Sequence, residues 1–104
     1  MPHVPALKAE FFKAIGHPVR IRALELLSEG EHSVSDLLAA MDVSQAHLSQ
    51  QLAILRRAGL VVARREGANV FYALTDARMA DLLAVAREML VDMATATRDE
   101  LLRA

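Results

Sequence analysis

Apolar residues recur at intervals of three and four positions along most of the chain, which is the spacing of one face of an α-helix. This pattern predicts four helices, over residues 6–15, 18–29, 34–41 and 45–58, and a long final helix that begins after Thr75 or Asp76 and extends at least to Leu101. Serines stand at the expected N-caps of the third and fourth helices, and glycines follow the first, second and fourth. Residue types at these positions therefore predict where the helices begin and end.

Two β-prone segments, residues 60–65 and 70–74, interrupt the helical pattern. Gly67 and Asn69 lie between them, and both suit a turn with positive φ, so we predict a β-hairpin. The fold class is then mainly α with a small β-hairpin, in the order α-α-α-α-β-β-α of a winged helix-turn-helix. Because no linker or repeat divides the chain, we expect one domain over residues 1–104.

Composition agrees with a mainly helical fold and excludes several classes of function. Hydrophobic residues make up 54% of the chain and aromatic residues 4%, with no Trp, a balance that favours helices. The absence of cysteine excludes disulfides, thiolate metal sites and thiol nucleophiles. There is no Gly-rich phosphate loop and no nucleophile elbow, so we do not expect an enzyme. Without a membrane-spanning run or a secretion signal, we expect a cytoplasmic protein with no membrane partner.

The net charge of −1 conceals an uneven distribution along the chain. Residues 1–42 carry four Lys or Arg and six Asp or Glu, residues 43–75 carry four and one, and residues 76–104 carry four and six. The middle third is therefore +3 between two segments of −2 each. Attraction to phosphates requires a local positive patch of this kind, so the pattern favours double-stranded DNA as a partner of the fourth helix and the hairpin.

The polar residues of the fourth helix are the candidates for reading bases. In a helix-turn-helix the second helix enters the major groove, where amide and hydroxyl side chains hydrogen-bond with base edges. Arginines beyond both ends of this surface, and a serine at the helix N-terminus, suit contacts with phosphates. The predicted DNA-binding residues are Ser44, Gln45, His47, Ser49, Gln50, Arg56, Arg57, Arg64, Arg65 and Asn69, with Gln51 as a further polar side chain of the helix.

A resemblance to a known family is carried by HPVR (17–20), LELL (24–27), VSQAHLSQQL (43–52) with Leu55, AGLV (58–61), REG (65–67) and YAL (72–74). These segments resemble the ArsR family of bacterial winged-helix repressors along nearly the whole chain. The resemblance implies a dimer paired through the first and last helices, an operator whose occupation blocks transcription, and often an inducer, either an ion or a small molecule.

A homodimer is also expected from the final helix itself, because an exposed row of Met and Leu on a monomer would lower solubility. Two-fold pairing places two recognition helices about one DNA turn apart and implies an inverted-repeat site. The interface residues expected from the resemblance and this row are Leu7, Phe11, Met79, Leu82, Leu83, Ala86, Met89, Leu90 and Met93.

Many members of this family sense metal ions, but most of their ligand positions are changed here. Where thiolate sensors carry Cys-x-Cys in the third helix, this chain has Ser33 and Ser35, and hydroxyls are poor ligands for soft ions. The positions that correspond to the last-helix metal site are occupied by Asp76, Arg78, Met89 and Asp92. Both imidazoles of that site are lost, and Arg78 repels a cation.

Two alternatives stay open at this point. After removal of Met1, the amine of Pro2 together with the amide and imidazole of His3 could chelate Ni(II) or Cu(II), with His17 or a carboxylate as a further ligand. A metal-responsive regulator would use Ni(II) or Zn(II) as effector, with His3, His17, Asp76 and Asp92 as candidate ligands, and no other cofactor is expected. A winged helix can also serve as a protein-interaction module, although the charge pattern favours DNA.

Overall fold

Five α-helices and three β-strands make up residues 3–103, the part of the chain that the computed structural model describes. In chain order they are α1 (Val4–Ile15), α2 (Pro18–Leu27), β1 (His32–Ser33), α3 (Val34–Ala40), α4 (Gln45–Arg57), β2 (Val61–Glu66), β3 (Asn69–Leu74) and α5 (Arg78–Arg103). The predicted helices and hairpin are therefore present. Helix α1 begins two residues earlier than predicted because Pro5, at the second position of the helix, needs no N–H partner there.

Side-chain caps fix where four of the helices begin, namely α2, α3, α4 and α5. The Ser33 hydroxyl accepts a hydrogen bond from the Asp36 N–H at 3.0 Å, and the Asp36 carboxylate accepts one from the Ser33 N–H at 3.4 Å, which completes a capping box. Before α2, the His17 Nδ1 accepts from the Val19 N–H at 3.1 Å. Before α5, the Asp76 Oδ1 accepts from the Arg78 N–H at 2.9 Å. The choice of Asp76 as the capping residue resolves the alternative between it and Thr75.

The sheet has three antiparallel strands in the order β1-β3-β2, one more than the predicted hairpin. Strand β1 contains two residues, and His32 and Ser33 pair with Tyr72 and Phe71 of β3. Its pairing partners lie some forty residues away along the chain, so no local sequence pattern predicts this strand. Strands β2 and β3 form the hairpin that we call the wing, residues 61–74.

The wing turns through two residues, Gly67 and Ala68, between the paired Glu66 and Asn69. Gly67 has φ +62°, a conformation that glycine adopts without steric cost. The prediction of positive φ at Asn69 was wrong, because that residue is the first of β3 and, within residues 3–103, only glycines have positive φ. A two-residue loop of this kind holds the strand ends close together.

The core lies between α2, α3, α4 and the start of the wing. Its largest fully buried side chains are Leu24 from α2, Leu37 from α3, Leu48, Leu52 and Leu55 from α4, and Val61 from β2. Each such leucine contributes about 2 kcal/mol of transfer free energy. The core therefore fixes α4 by one face and leaves the opposite face of that helix exposed.

Helix α5 joins the core only by its first turns. Met79 is buried, and Leu82 and Leu83 pack against the core, whereas every residue from 84 to 103 is exposed. Among residues 3–103, no helix combines the length and the hydropathy that a membrane span requires. Helices α3 and α4, with the wing beside them and α5 behind, confirm the predicted winged helix-turn-helix.

Candidate nucleic-acid interface

Helix α4 presents a polar surface on the side opposite the core. Gln45, Ser49 and Gln50 are exposed over its first two turns, and Arg56 and Arg57 are exposed at its end. The leucines at positions 48, 52 and 55 occupy the other side, so the helical period separates the two sets. The exposed amides and hydroxyl are groups that can donate to and accept from base edges in a major groove.

Both ends of α4 are fixed by hydrogen bonds. At the start, the Ser44 Oγ accepts from the His47 N–H at 3.1 Å. At the end, Gly59 has φ +78°, and the Leu60 N–H donates to the Leu55 carbonyl at 3.0 Å, which is a glycine-terminated helix stop. The two arginines of the last turn lie where a cation is favoured by the helix dipole.

A cleft of about 320 Å³ separates α4 from the wing. It brings together three of the predicted DNA-binding residues, Gln45 and Ser49 from α4 and Asn69 from the wing. Ser35 and Tyr72 also line it, and neither was predicted at this surface from the sequence. The cleft is thus lined by amides and hydroxyls from α3, α4 and the wing, together with apolar side chains such as Leu38 and Val70.

Two polar residues of α4 point away from the exposed surface. The half-buried His47 lies beside His17, with 5.8 Å between the ring centroids. Gln51 is 8% exposed and its Oε1 accepts a hydrogen bond from Arg20 at 2.7 Å. Gln51 follows Leu48 by three residues and precedes Leu55 by four, so helical spacing already places it on the core face. Its inclusion among the exposed polar residues was therefore wrong.

The two wing arginines lie on opposite faces of the sheet, because consecutive residues of a strand alternate. Arg64 pairs with Phe71, and its Cζ lies 4.7 Å from the centroid of that ring. Its Nη2 is 2.6 Å from Glu31 Oε1, and its Nη1 is 2.6 Å from Glu66 Oε2. Hydrogen bonding to this guanidinium lowers the pKa of the Glu31 carboxyl. Arg64 is thus balanced by two carboxylates.

Arg65 lies on the same face of the sheet as the buried Val61, which is the face turned toward the helices. Within the described part of the chain, no carboxylate pairs with Arg65, Arg56 or Arg57. These three cations therefore retain their charge for an anionic partner. Of the four arginines in the positive segment 43–75, Arg64 is the one that pairs with carboxylates within the described residues.

Comparison with known proteins places this arrangement in a family. Residues 17–62 match the model of bacterial regulatory proteins of the arsR family. The HTH-type transcriptional regulator Rv0081 of Mycobacterium tuberculosis is 53% identical over 85 residues, which are 81% of this chain and 75% of that protein. The chain belongs to the ArsR family. This membership confirms the resemblance, and ArsR proteins are DNA-binding transcriptional regulators.

Solved structures of ArsR relatives share the fold. The crystal structure of Rv0081 has a TM-score of 0.83 at 46% identity and covers 93% of this chain and 98% of that one. The repressor BigR of Xylella fastidiosa has a TM-score of 0.73 at 40% identity, covering 78% and 83%. Mb0332 of Mycobacterium bovis, described as a homodimeric winged helix-turn-helix DNA-binding domain, has a TM-score of 0.76 at 28% identity, covering 88% and 84%.

The candidate metal ligands do not form a site in this ArsR chain. Both Asp76 oxygens accept from Arg78, at 2.7 to 3.2 Å, and this contact lowers the pKa of Asp76 to about 2. Asp76 lies just before α5, whereas Asp92 lies about 21 Å along that helix from its first residue, Arg78. The carboxylates of Asp76 and Asp92 therefore cannot share an ion within one protomer. Nδ1 of His17 is used as a helix cap.

No group of three or more His, Asp or Glu side chains between residues 3 and 103 is arranged to hold a metal. Exposed His3 is the first described residue, and the amine of Pro2 that would complete an amino-terminal chelate lies outside the described residues. These contacts and the comparisons do not favour the metal-responsive alternative.

The residues expected at a dimer interface differ in how much of each is exposed. Leu7, Phe11 and Ala86 are exposed, as are Met89, Leu90 and Met93, whose exposed fractions are 59%, 64% and 61%. Leu82 and Leu83 are half-buried against the core. Met79 is only 6% exposed, because it closes the protomer's own core, although it also lines an open groove beside Phe11 and Leu82, so its place at an interface stays a prediction.

Proposed function

We propose that this ArsR protein is a homodimeric repressor that occupies an inverted-repeat operator and blocks transcription. Each protomer places the exposed face of α4 in a major groove and the wing against the adjacent backbone. The observation that carries the proposal is the cleft between α4 and the wing, which is lined by polar side chains from both elements. The same two elements carry exposed arginines, Arg56, Arg57 and Arg65, that have no carboxylate partner within the described chain.

The contacts divide into two kinds under this proposal. Gln45, Ser49 and Gln50 read base edges, and Arg56, Arg57, Arg65, Ser44 and Asn69 contact the backbone. His47 contributes less to reading because its ring packs beside His17. Residues 1–104 act as one unit that carries both DNA and dimer surfaces, with no catalytic step. A bacterial operator lies in the cytoplasm, and the proposal places the protein there.

Exposed apolar surface on α1 and α5 supports the homodimer. Met89, Leu90 and Met93 follow one side of α5 beyond the core. A groove of about 500 Å³ between α1 and the start of α5 is lined by Phe11, Leu60 and Leu82, among others. A partner's matching surface would cover both, and Mb0332 shows that a relative of this fold forms homodimers.

A salt titration tests DNA binding. We expect the association constant for a duplex to fall steeply between 50 and 200 mM salt, because released counterions drive the binding. The slope of log K against log salt should correspond to several phosphates neutralised per dimer. Duplex binding that salt leaves unchanged, or no duplex binding at all, would contradict the proposal and would favour the protein-interaction module.

Sedimentation equilibrium tests the dimer. The wild-type chain of 11.4 kDa should sediment at twice that mass. Met89→Lys places a charge in the proposed interface and should shift the mass to that of a monomer. Val62→Lys is the matched control, because Val62 is exposed to a similar degree but lies on the wing. Equal behaviour of the two variants would contradict the assigned interface.

A further inference from the structure

One side chain, Arg20 in the first turn of α2, connects the helix expected to dimerise with the helix expected to read DNA. Its Nε donates to the Ala14 carbonyl at 2.7 Å, and its Nη2 donates to the Lys13 carbonyl at 3.3 Å. Both carbonyls belong to the last turn of α1. Its Nη1 donates to Oε1 of Gln51 at 2.7 Å. Arg20 therefore touches the end of α1 and the middle of α4 at once.

The chemistry of these contacts suits a fixed connection. Carbonyls in the last turn of a helix lack partners within it, and the negative end of the helix dipole favours a cation there. Gln51 is 8% exposed, so water has little access to its side-chain carbonyl. If Arg20 were removed, that carbonyl would be left without a hydrogen-bond donor, which costs free energy in a buried position. The planar guanidinium fixes the directions of its donors, which a lysine ammonium does not do.

We propose that Arg20 is a positioning residue that sets the orientation of the recognition helix α4 relative to α1, and through α1 relative to the two-fold axis of the dimer. The inference rests on the proposed function, in which α1 contributes to dimerisation and α4 reads DNA. Helix α1 makes its main contact with α4, and Arg20 is the side chain that hydrogen-bonds to both of them. Arg20 thus holds the separation of the two recognition helices to the value that the operator requires.

The test measures how affinity depends on the spacing of the half-sites. Probes are the inverted repeat that wild-type protein selects from a random duplex pool, and the same duplex with one base pair inserted or removed between the half-sites. Wild-type protein should bind the selected spacing best. Arg20→Met should bind it on the order of tenfold more weakly. It should also lose less affinity than wild type on insertion or removal, because its recognition helices adapt.

Arg22→Met is the matched control for loss of an arginine from α2. Arg22 lies two residues away on an exposed part of the helix and only approaches Glu25, with Nη1 3.6 Å from Oε1. This variant should keep the wild-type dependence on spacing. A flattened profile in Arg22→Met as well would attribute the effect to charge and overturn the inference.

Gln51 gives a second test that does not depend on the folding of Arg20→Met. Gln51→Glu retains an acceptor for Arg20 and should keep the wild-type profile, whereas Gln51→Met should flatten it. Combining Arg20→Met with Gln51→Met should cost no more affinity than the larger single effect, because both remove one connection. Identical profiles for Gln51→Glu and Gln51→Met would overturn the inference.

The outcomes separate this inference from the proposed function. A wild-type protein that selects no inverted repeat would overturn both together. The positioning role alone would be overturned if wild-type protein shows the expected dependence on spacing and Arg20→Met shows the same dependence. The same conclusion would follow if Arg20→Met lowers the affinity by an equal factor at every spacing.

Discussion

The two neighbouring wing arginines should contribute unequally to DNA binding, which a pair of variants can show. Arg65 lies on the sheet face turned toward the helices and has no carboxylate partner within the described chain, so we assign it a phosphate contact. Arg64 lies on the other face between Glu31 and Glu66. Its positive charge is balanced by these two carboxylates within the protomer.

The expected size of the effect follows from the number of phosphates contacted. Each phosphate neutralised on B-DNA adds about 0.9 to the slope of log K against log salt. A homodimer has two copies of Arg65, so Arg65→Met should reduce that slope by about 1.8. Extrapolated from 1 M salt, where the electrostatic contribution vanishes, this corresponds to a loss of about 30-fold in affinity at 0.15 M.

The comparison variant is Arg64→Met combined with Glu31→Gln. It removes the guanidinium and one carboxylate together, so the local charge contributed by Arg64, Glu31 and Glu66 stays at −1. We expect its slope to change by less than about 0.5. Fluorescence anisotropy of a labelled duplex between 50 and 300 mM salt measures both slopes. Equal reductions in the two variants would refute the assignment of different roles to the two arginines.

Three further predictions concern base reading, helix capping and the Asp76 contact. Gln50→Ala should weaken binding to the selected duplex by about 1 to 3 kcal/mol and leave a random duplex unaffected; equal losses on both would contradict base reading. Ser33→Ala should lower the free energy of unfolding in urea by about 1 kcal/mol, while exposed Ser35→Ala should not, because only Ser33 caps α3. Arg78 lowers the pKa of Asp76 from 3.8 to about 2, so their bond stabilises the fold above pH 3.8 and is lost as pH falls through 2. The Tm difference between wild type and Asp76→Asn should therefore shrink over that range, and a constant difference would speak against it.

Features that depend on neighbouring residues could be predicted from the sequence. The caps at Ser33 and Ser44 and the stop at Gly59 act within one helical turn, so the residue type and its position were sufficient. The winged helix-turn-helix order and the polar face of α4 follow from the same local periods.

Features that depend on distant pairing could not be predicted. Strand β1 exists only through its pairing with β3, and the two carboxylates beside Arg64 come from a loop before β1 and from β2 itself. Alternation along the strand places Arg64 and Arg65 on opposite faces, but only the burial of Val61 shows which face meets the helices. Gln51 is different, since its spacing from the core leucines of α4 already indicated a buried position.

The most direct test of the account is the selection of bound duplexes from a random pool by the wild-type protein. A dimer that reads DNA with two copies of α4 should enrich an inverted repeat whose half-site centres lie about 10 base pairs, or a multiple of that, apart. Enrichment of a single half-site without a symmetric partner, or of no sequence at all, would contradict it.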